Sequence, residues 1–558
     1  MYLYFVELRH FSIALILILF STLTSFSQEY TVVFDGLEGR YSKTAAKLDS
    51  TSAVLEANRL VRSLKTKGHW LAQIDEVVRN EDTLKFTIFQ GKKFEKVHVQ
   101  LDMGNLDGAL TLRKSKTETT LTNSDQIENH VDGIIDFYEN NGYPFASLQI
   151  DSAEVSDDFI FLRLSVDPGM EIRYDSVSVA PENFISDRFA VRYFGFSHNQ
   201  LYNERSIKEI EGKVANLTFA ELENVTVSYQ LKKAKVDIDL KPIKSNTMDG
   251  ILGMIPKEGG GVEFNGEFNL RLNNLFKSAK SLVFYWERLR PESQVLNVGY
   301  THPLLLGSPL NLNLSFDQLK QDTAFSNRTL QVGLDYFPKP RLKMKLGYKN
   351  KLGNQLDPLS EESGDFTINT YGIGILYQNL NHSRIPTKGT QVELDGGIGN
   401  KELGSQDLPD QSTQYDVEAR IQYYLPTGKR SNLYFDVQGA LLVNDYLYLN
   451  DLYRLGGLRS IRGFNEGEFF ASQYLVGRVE WRFFLDKESY LLAFFDQGFL
   501  SYDIIGGQFS DQPAGLGVGM QMNGPGGIFQ ILYGLGKRNE EGFSFDSSKI
   551  HFGYTAIF

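Results

Sequence analysis

Apolar and polar residues follow two different rhythms along the chain, and the change falls near residue 245. Beyond it, Leu310, Leu312, Leu314 and Phe316 alternate with Asn311, Asn313, Ser315 and Asp317. Leu433, Phe435 and Val437 alternate with Tyr434, Asp436 and Gln438, and Val392 and Leu394 with Gln391, Glu393 and Asp395. Period two marks strands with one wet and one apolar face. Such runs are predicted at 249–254, 262–274, 279–289, 293–302, 309–318, 327–336, 341–349, 366–378, 388–398, 413–424, 432–443, 473–484, 489–500, 514–522, 526–534 and 549–558. One long interruption, residues 444–472, separates the eleventh from the twelfth. Sixteen is an even number, as single-chain bacterial membrane barrels carry. The alternation alone would also fit a soluble antiparallel sandwich.

Before residue 245, helical and strand patterns take turns. Ile127, Val131, Ile134, Ile135 and Tyr138 share one helical face; Asn123, Ser124 or Asp125 caps its start and Gly142 stops it. Strand-like runs follow at 145–155 and 159–166, then Pro168-Gly169. An earlier segment has the same order: a helix at 51–66 with Val54, Ala57, Val61 and Leu64 on one face, Gly68, strands at 71–78 and 84–89, then Gly91. A looser third copy has a strand at 172–180, helices near 185–195 and 203–216, and strands at 222–231 and 234–240. A period of about 75 residues, each strand–helix–helix–strand–strand, predicts an array of small α+β modules.

Composition narrows the class. Net charge is −12, against a nucleic-acid partner. Mean hydropathy is −0.27. Phe11–Phe20, apolar except for Ser12, is about half the roughly 20 residues a spanning helix needs, and no later apolar run reaches that length. A membrane protein of this kind must cross with a closed β-barrel, which also satisfies every backbone group in lipid. Arg9, the apolar run and Ser25-Phe26-Ser27 follow the order of a secretory signal peptide, residues 1–27. No cysteine follows it, so a lipid anchor, disulfides and thiolate chemistry are not expected.

Four sequence features carry a family likeness. Lys67-Gly68-His69-Trp70-Leu71-Ala72 and Asn141-Gly142-Tyr143-Pro144-Phe145-Ala146, set in the repeats, resemble the helix end of the POTRA module, a periplasmic domain with an exposed sheet edge. The interruption contains Leu455-Gly456-Gly457-Leu458-Arg459-Ser460-Ile461-Arg462-Gly463-Phe464. Ile461, Arg462, Gly463 and Phe464 resemble the (V/I)RG(F/Y) loop tip of the BamA/TamA superfamily, in the slot between strands eleven and twelve. The family's partner motif F-x-D-x-G on strand thirteen is matched by Phe494-Phe495-Asp496-Gln497-Gly498, with Glu480 on strand twelve as a second acceptor. His551–Phe558, with Phe552, Tyr554, Ala556 and Phe558 on one face, resembles the terminal signal read by outer-membrane assembly machinery, although Ala556 is small for its place.

The resemblance implies a fold: α+β POTRA repeats followed by an all-β transmembrane 16-stranded antiparallel barrel. The segments are a signal peptide (1–27), three POTRA-like modules (28–92, 93–170, 171–245) and the barrel (246–558). It implies that the loop enters the lumen and Arg462 meets Asp496 or Glu480, tethered among Phe494 and Gly498. Three modules resemble the TamA branch most. The implied function is assembly, insertion or translocation of outer-membrane proteins, with the modules in the periplasm. Implied partners are the outer-membrane bilayer, unfolded or folding client proteins and a TamB-like periplasmic protein. The seam between the first strand, with Gly250 and Gly253, and the last, with Gly553 and Phe558, is expected to pair weakly and open sideways. Alternatives are a two-partner-secretion-type export pore and a passive channel. No catalytic residue, metal or cofactor is expected: there is no Gly-x-Ser-x-Gly elbow and no His-x-x-x-His pair, and Gly259-Gly260-Gly261 and Gly524-Pro525-Gly526-Gly527 lack the lysine of a phosphate loop.

Overall fold

The structure, a computed structural model, describes residues 29–37, 46–102, 118–156, 159–256, 262–288, 292–357, 362–382, 384–405, 408–524, 526–539, 542–545 and 548–557. The expected signal peptide and Phe558 lie outside the described residues. The chain divides into two compact units. One runs to Ile172 and includes Leu201–Glu204; the other is Arg173–Gln200 with Arg205 onward.

The first unit holds two modules of one design. The first is β1 (Glu29–Asp35), β2 (Ala46–Asp49), α1 (Ser50–Thr66), β3 (Gln73–Arg79) and β4 (Thr83–Phe89), in sheet order β2-β1-β4-β3. The second is β5 (Lys96–Asp102), β6 (Glu118–Leu121), α2 (Ser124–Glu139), β7 (Ser147–Val155) and β8 (Phe159–Asp167), in order β6-β5-β8-β7. The repeated glycines do the same work in each. Gly68 and Gly142 take φ of +98° and +103°, where a Cβ is unfavourable. His69 N–H then reaches back to Leu64 O and Tyr143 N–H to Tyr138 O, each at 3.0 Å, closing the helix end. Asn123 is the cap of α2, its Oδ1 accepting from Gln126 N–H at 2.9 Å.

Two details differ from the sequence reading. On α1, Ala57 and Leu64 are buried and Val61 packs against the core as expected, but Val54 is exposed and Ala53, one residue earlier and about 100° round the helix, is buried in its place. Each of these modules also inserts a four-residue strand, β2 or β6, immediately before its helix. The expected order has two helices per module, and one is present among the described residues of each; residues 38–45 and 103–117 lie outside the described residues.

The second unit joins a third module to the barrel. The module is β9 (Arg173–Ala180), α3 (Asp187–Phe194), α4 (Glu204–Lys208), α5 (Ile210–Ala215), β10 (Ala220–Gln230) and β11 (Lys233–Pro242), in sheet order β10-β11-β9. It is hydrogen-bonded to the connections at the near rim of the barrel. Ser186 N–H donates to Lys277 O at 2.8 Å, Asn274 Nδ2 to Phe184 O at 3.0 Å and Asn216 Nδ2 to Pro340 O at 2.7 Å. Gly212 permits the approach, since a Cβ there would lie 2.4 Å from Pro340 Cβ.

The barrel strands are β12 (Thr247–Pro256), β13 (Val262–Leu275), β14 (Lys280–Arg288), β15 (Gln294–His302), β16 (Leu310–Gln321), β17 (Phe325–Lys339), β18 (Leu342–Gln355), β19 (Phe366–Leu380), β20 (Gly389–Leu403), β21 (Gln411–Gly428) and β22 (Ser431–Val443). A hairpin within the long loop, β23 (Tyr453–Leu455) and β24 (Phe469–Ala471), comes next. β25 (Gln473–Phe484), β26 (Tyr490–Ile504), β27 (Gly507–Asp511), β28 (Ala514–Gly524), β29 (Gly527–Lys537) and β30 (Lys549–Ile557) complete the wall. β27 and β28 both pair with β26 and form one strand broken at Gln512-Pro513, where proline has no N–H for the ladder. Sixteen antiparallel strands therefore close the barrel. The faces follow the alternation. On β25, Leu475, Val479, Trp481 and Phe483 point outward and are exposed, while Val476, Arg478, Glu480 and Arg482 are buried inside.

Candidate functional site: the loop tip in the lumen

The loop from β22 to β25 leaves the far rim and turns into the barrel. Its hairpin carries the tip inward, and Leu455, Ile461, Phe464 and Phe469 cluster with Val476 and Leu500 of the wall. Arg462 is 3% exposed. Its Nε donates to Asp496 Oδ2 at 2.8 Å and its Nη2 to Oδ1 at 2.5 Å, the two-pronged match of guanidinium to carboxylate. Its backbone N–H adds a third bond to Oδ2 at 2.9 Å, so side chain and main chain are fixed together. Nη1 reaches Glu480 Oε1 at 2.5 Å. The guanidinium lies over the Phe494 ring, 3.9 Å from its centroid, a cation–π contact in a desolvated setting. The structure thus brings Arg462, Asp496, Glu480 and Phe494 together. Gly498 belongs here too: a Cβ would stand 2.7 Å from Ile461 Cδ1.

Two features of the site were missed in the sequence. The first is a larger charge network on the inner wall. Arg482 Nε donates to Glu480 Oε2 at 2.7 Å and stacks 4.4 Å from the centre of the Tyr434 ring. Asp436 receives Arg420 Nε at 2.9 Å and Nη2 at 2.8 Å, and also pairs with Arg478. Arg478 in turn donates to Arg459 O of the loop at 3.0 Å. Arg420, Arg462, Arg478 and Arg482 thus face Asp436, Glu480 and Asp496. The alternation places these charges inward, but only the strand register shows which meet.

The second is a floor of glycines. Gly515, Gly517 and Gly519 on β28 and Gly534 and Gly536 on β29 occupy alternate positions on the lumen face. A Cβ on Gly515 would fall 2.0 Å from Arg462 O, and one on Gly536 2.7 Å from Gly463 O. Gly463 has φ of +93°, and its own Cβ would be 2.8 Å from Gly536 N. The tip is backbone packed on backbone. Its signal in the sequence is the period-two glycine run Gly515-Leu516-Gly517-Val518-Gly519.

The seam is the second candidate region. β12 pairs with β13 over its whole length, from Thr247 opposite Arg271 to Pro256 opposite Val262. Among the described residues, it pairs with β30 only through Thr247 opposite Ile557 and Met248 opposite Ala556. Gly250 is paired to Phe268 and Gly253 to Asn265 on the second strand, and Gly553 to Gln530 on the fifteenth. All three glycines lie beyond the last seam pair.

Residues 274–556, half of the chain, match the Omp85 superfamily domain. The chain belongs to the Omp85 superfamily. Among solved structures, CdiB from Escherichia coli is 16% identical, with a TM-score of 0.57 over 91% of this chain and 97% of that one. CdiB from Acinetobacter baumannii is 12% identical, with a TM-score of 0.52 over 96% and 91%. BamA from Haemophilus ducreyi lacking POTRA domains 1–3 is 15% identical, with a TM-score of 0.44 over 82% and 99%. At such identities the likeness is one of fold. No curated protein matches the sequence. This Omp85 protein is an outer-membrane barrel with N-terminal POTRA modules in the periplasm, of the non-enzymatic class that inserts or translocates proteins. The near rim is periplasmic and the far rim extracellular.

Proposed function

We propose that this Omp85 protein assembles other outer-membrane proteins in the manner of the TamA branch. Clients, or a TamB-like periplasmic partner, add a strand to a sheet edge of a POTRA module, and the client is handed to the barrel seam. A free edge is a row of unpaired N–H and C=O groups and templates another strand.

The observation that carries this reading is the asymmetry of β12 among the described residues: full pairing with β13, two residue pairs with β30. Releasing two pairs frees the edges of both strands, and a client strand replaces the bonds given up. The Arg462 tether keeps the loop fixed on β25, β26, β28 and β29 while the seam exchanges partners.

Depletion in cells tests the proposal. Loss of the protein lowers the amount of folded, heat-modifiable outer-membrane barrels. An unchanged barrel profile, with loss of one secreted polypeptide instead, would overturn the assembly reading in favour of an export pore.

A further inference from the structure

The long loop has a second attachment, at the extracellular rim and on the other side of the lumen from Arg462. Between Val443 and the hairpin, Leu449–Asp451 forms a single 3-10 turn. Asp451 Oδ2 accepts from its own Tyr448 N–H at 2.8 Å and from Lys401 Nζ of β20 at 2.5 Å. Both charged side chains are fully buried. Lys401 Nζ also donates to Tyr446 O at 2.6 Å and sits 4.7 Å and 5.2 Å from the ring centres of Phe366 and Tyr448. Asn450 extends the attachment: its Nδ2 donates to Gly364 O at 3.0 Å, and its own carbonyl receives Asn327 Nδ2 of β17 at 2.7 Å and Lys351 Nζ of β18 at 3.1 Å. The base of the loop is thus held by β17, β18, β20 and the approach to β19, while the tip is held by β25, β26, β28 and β29.

We propose that the Lys401–Asp451 pair is a releasable latch on the outer mouth, and that the loop opens at the rim while its tip stays seated on Asp496. Both attachments are buried ion pairs, and they differ in what surrounds the charges. A buried ion pair loses nearly as much hydration as it gains in attraction, so it holds position without adding much stability. Asp451 Oδ1 is buried with no hydrogen-bond partner among the described residues, which weakens the closed state further. Both charges are hydrated again on release, whereas an apolar plug of equal size would expose its surface to water. The tip is a buried ion pair too, but Arg462 adds a backbone bond to Asp496, a bond to Glu480 and close packing on the glycine floor, all of which are lost if it leaves.

The absence of cysteine makes the test clean. Single reporters are placed at the rim (Leu447→Cys) and at the tip (Ser460→Cys), both buried positions. They are labelled on intact cells with a membrane-impermeant maleimide, after heat-modifiable migration confirms a folded barrel. Adding Asp451→Asn raises the labelling rate at the rim about a hundredfold, as an uncompensated buried ammonium shifts the opening equilibrium, and leaves the tip rate unchanged. The apolar pair Lys401→Met with Asp451→Leu lowers the rim rate below that of the native pair. An unchanged rim rate with Asp451→Asn, or an equal rise at the tip, overturns the latch. If Asp451→Asn does not fold, the apolar pair decides: rim labelling at or above the native rate overturns it.

Discussion

A guanidinium presents five N–H donors in one plane, and Arg462 directs them at carboxylates on two adjacent strands. A lysine in its place keeps the charge and loses the fork. Among the described residues, Asp496 takes its hydrogen bonds from Arg462 alone, so Arg462→Ala removes both guanidinium bonds and leaves a fully buried carboxylate with a backbone N–H and no paired cation. Removing one member of such a pair costs about 3–5 kcal/mol. Measured by urea unfolding in detergent, Arg462→Ala falls in that range; a loss below about 1 kcal/mol, the scale of exposed pairs, contradicts burial of the tip. Gly515→Val tests the floor: its Cβ meets the Arg462 carbonyl, so the tip is expelled and cleaved by added protease while the barrel stays folded. An intact loop in that variant contradicts the packing. Arg462 and Asp496 were legible in the sequence because each sits in a short motif at a matching strand. The glycine floor was not, because spacing shows that side chains are missing from one face and not what fills the space.

Elements of the barrel were legible wherever one face meets lipid and the other water, since that contrast is written at every second residue. β16 with Leu310 to Phe316 and β22 with Leu433 to Val437 are of this kind. The break at Gln512-Pro513 was missed because β27 is short and its residues alternate weakly. In the modules, the paired strands β4 and β8 announced themselves, while the four-residue strands β2 and β6 carry too few residues to show a period. The seam was legible only as glycines; its pairing depends on register between strands some 300 residues apart. Met248 and Ala556 are directly opposed across it, within the Cα separation a disulfide spans. Met248→Cys with Ala556→Cys forms a crosslink on oxidation and abolishes client assembly, and reduction restores it. Full activity of the oxidised protein contradicts opening at the seam.

At the scale of the molecule, the third module and the barrel are one unit, joined through Ser186, Asn216 and Asn274. A chain starting at Glu171, without the first two modules, therefore still folds to a heat-modifiable barrel but loses client delivery. Failure of that chain to fold contradicts the division into units. The overall architecture was readable because a signal-like start, repeated α+β modules and a period-two half each restrict the fold independently. The cross-lumen bracing of the loop was not, since Lys401, Asn450 and Asp451 sit in no repeated pattern.

Purified protein in lipid vesicles tests the proposed function most directly. An unfolded outer-membrane barrel is added, and its folding is followed by heat-modifiable mobility. The native protein accelerates folding of the client, and Arg462→Ala, itself folded, does not. No acceleration by the native protein, or passage of the client into the vesicle interior without insertion, contradicts a role in assembly.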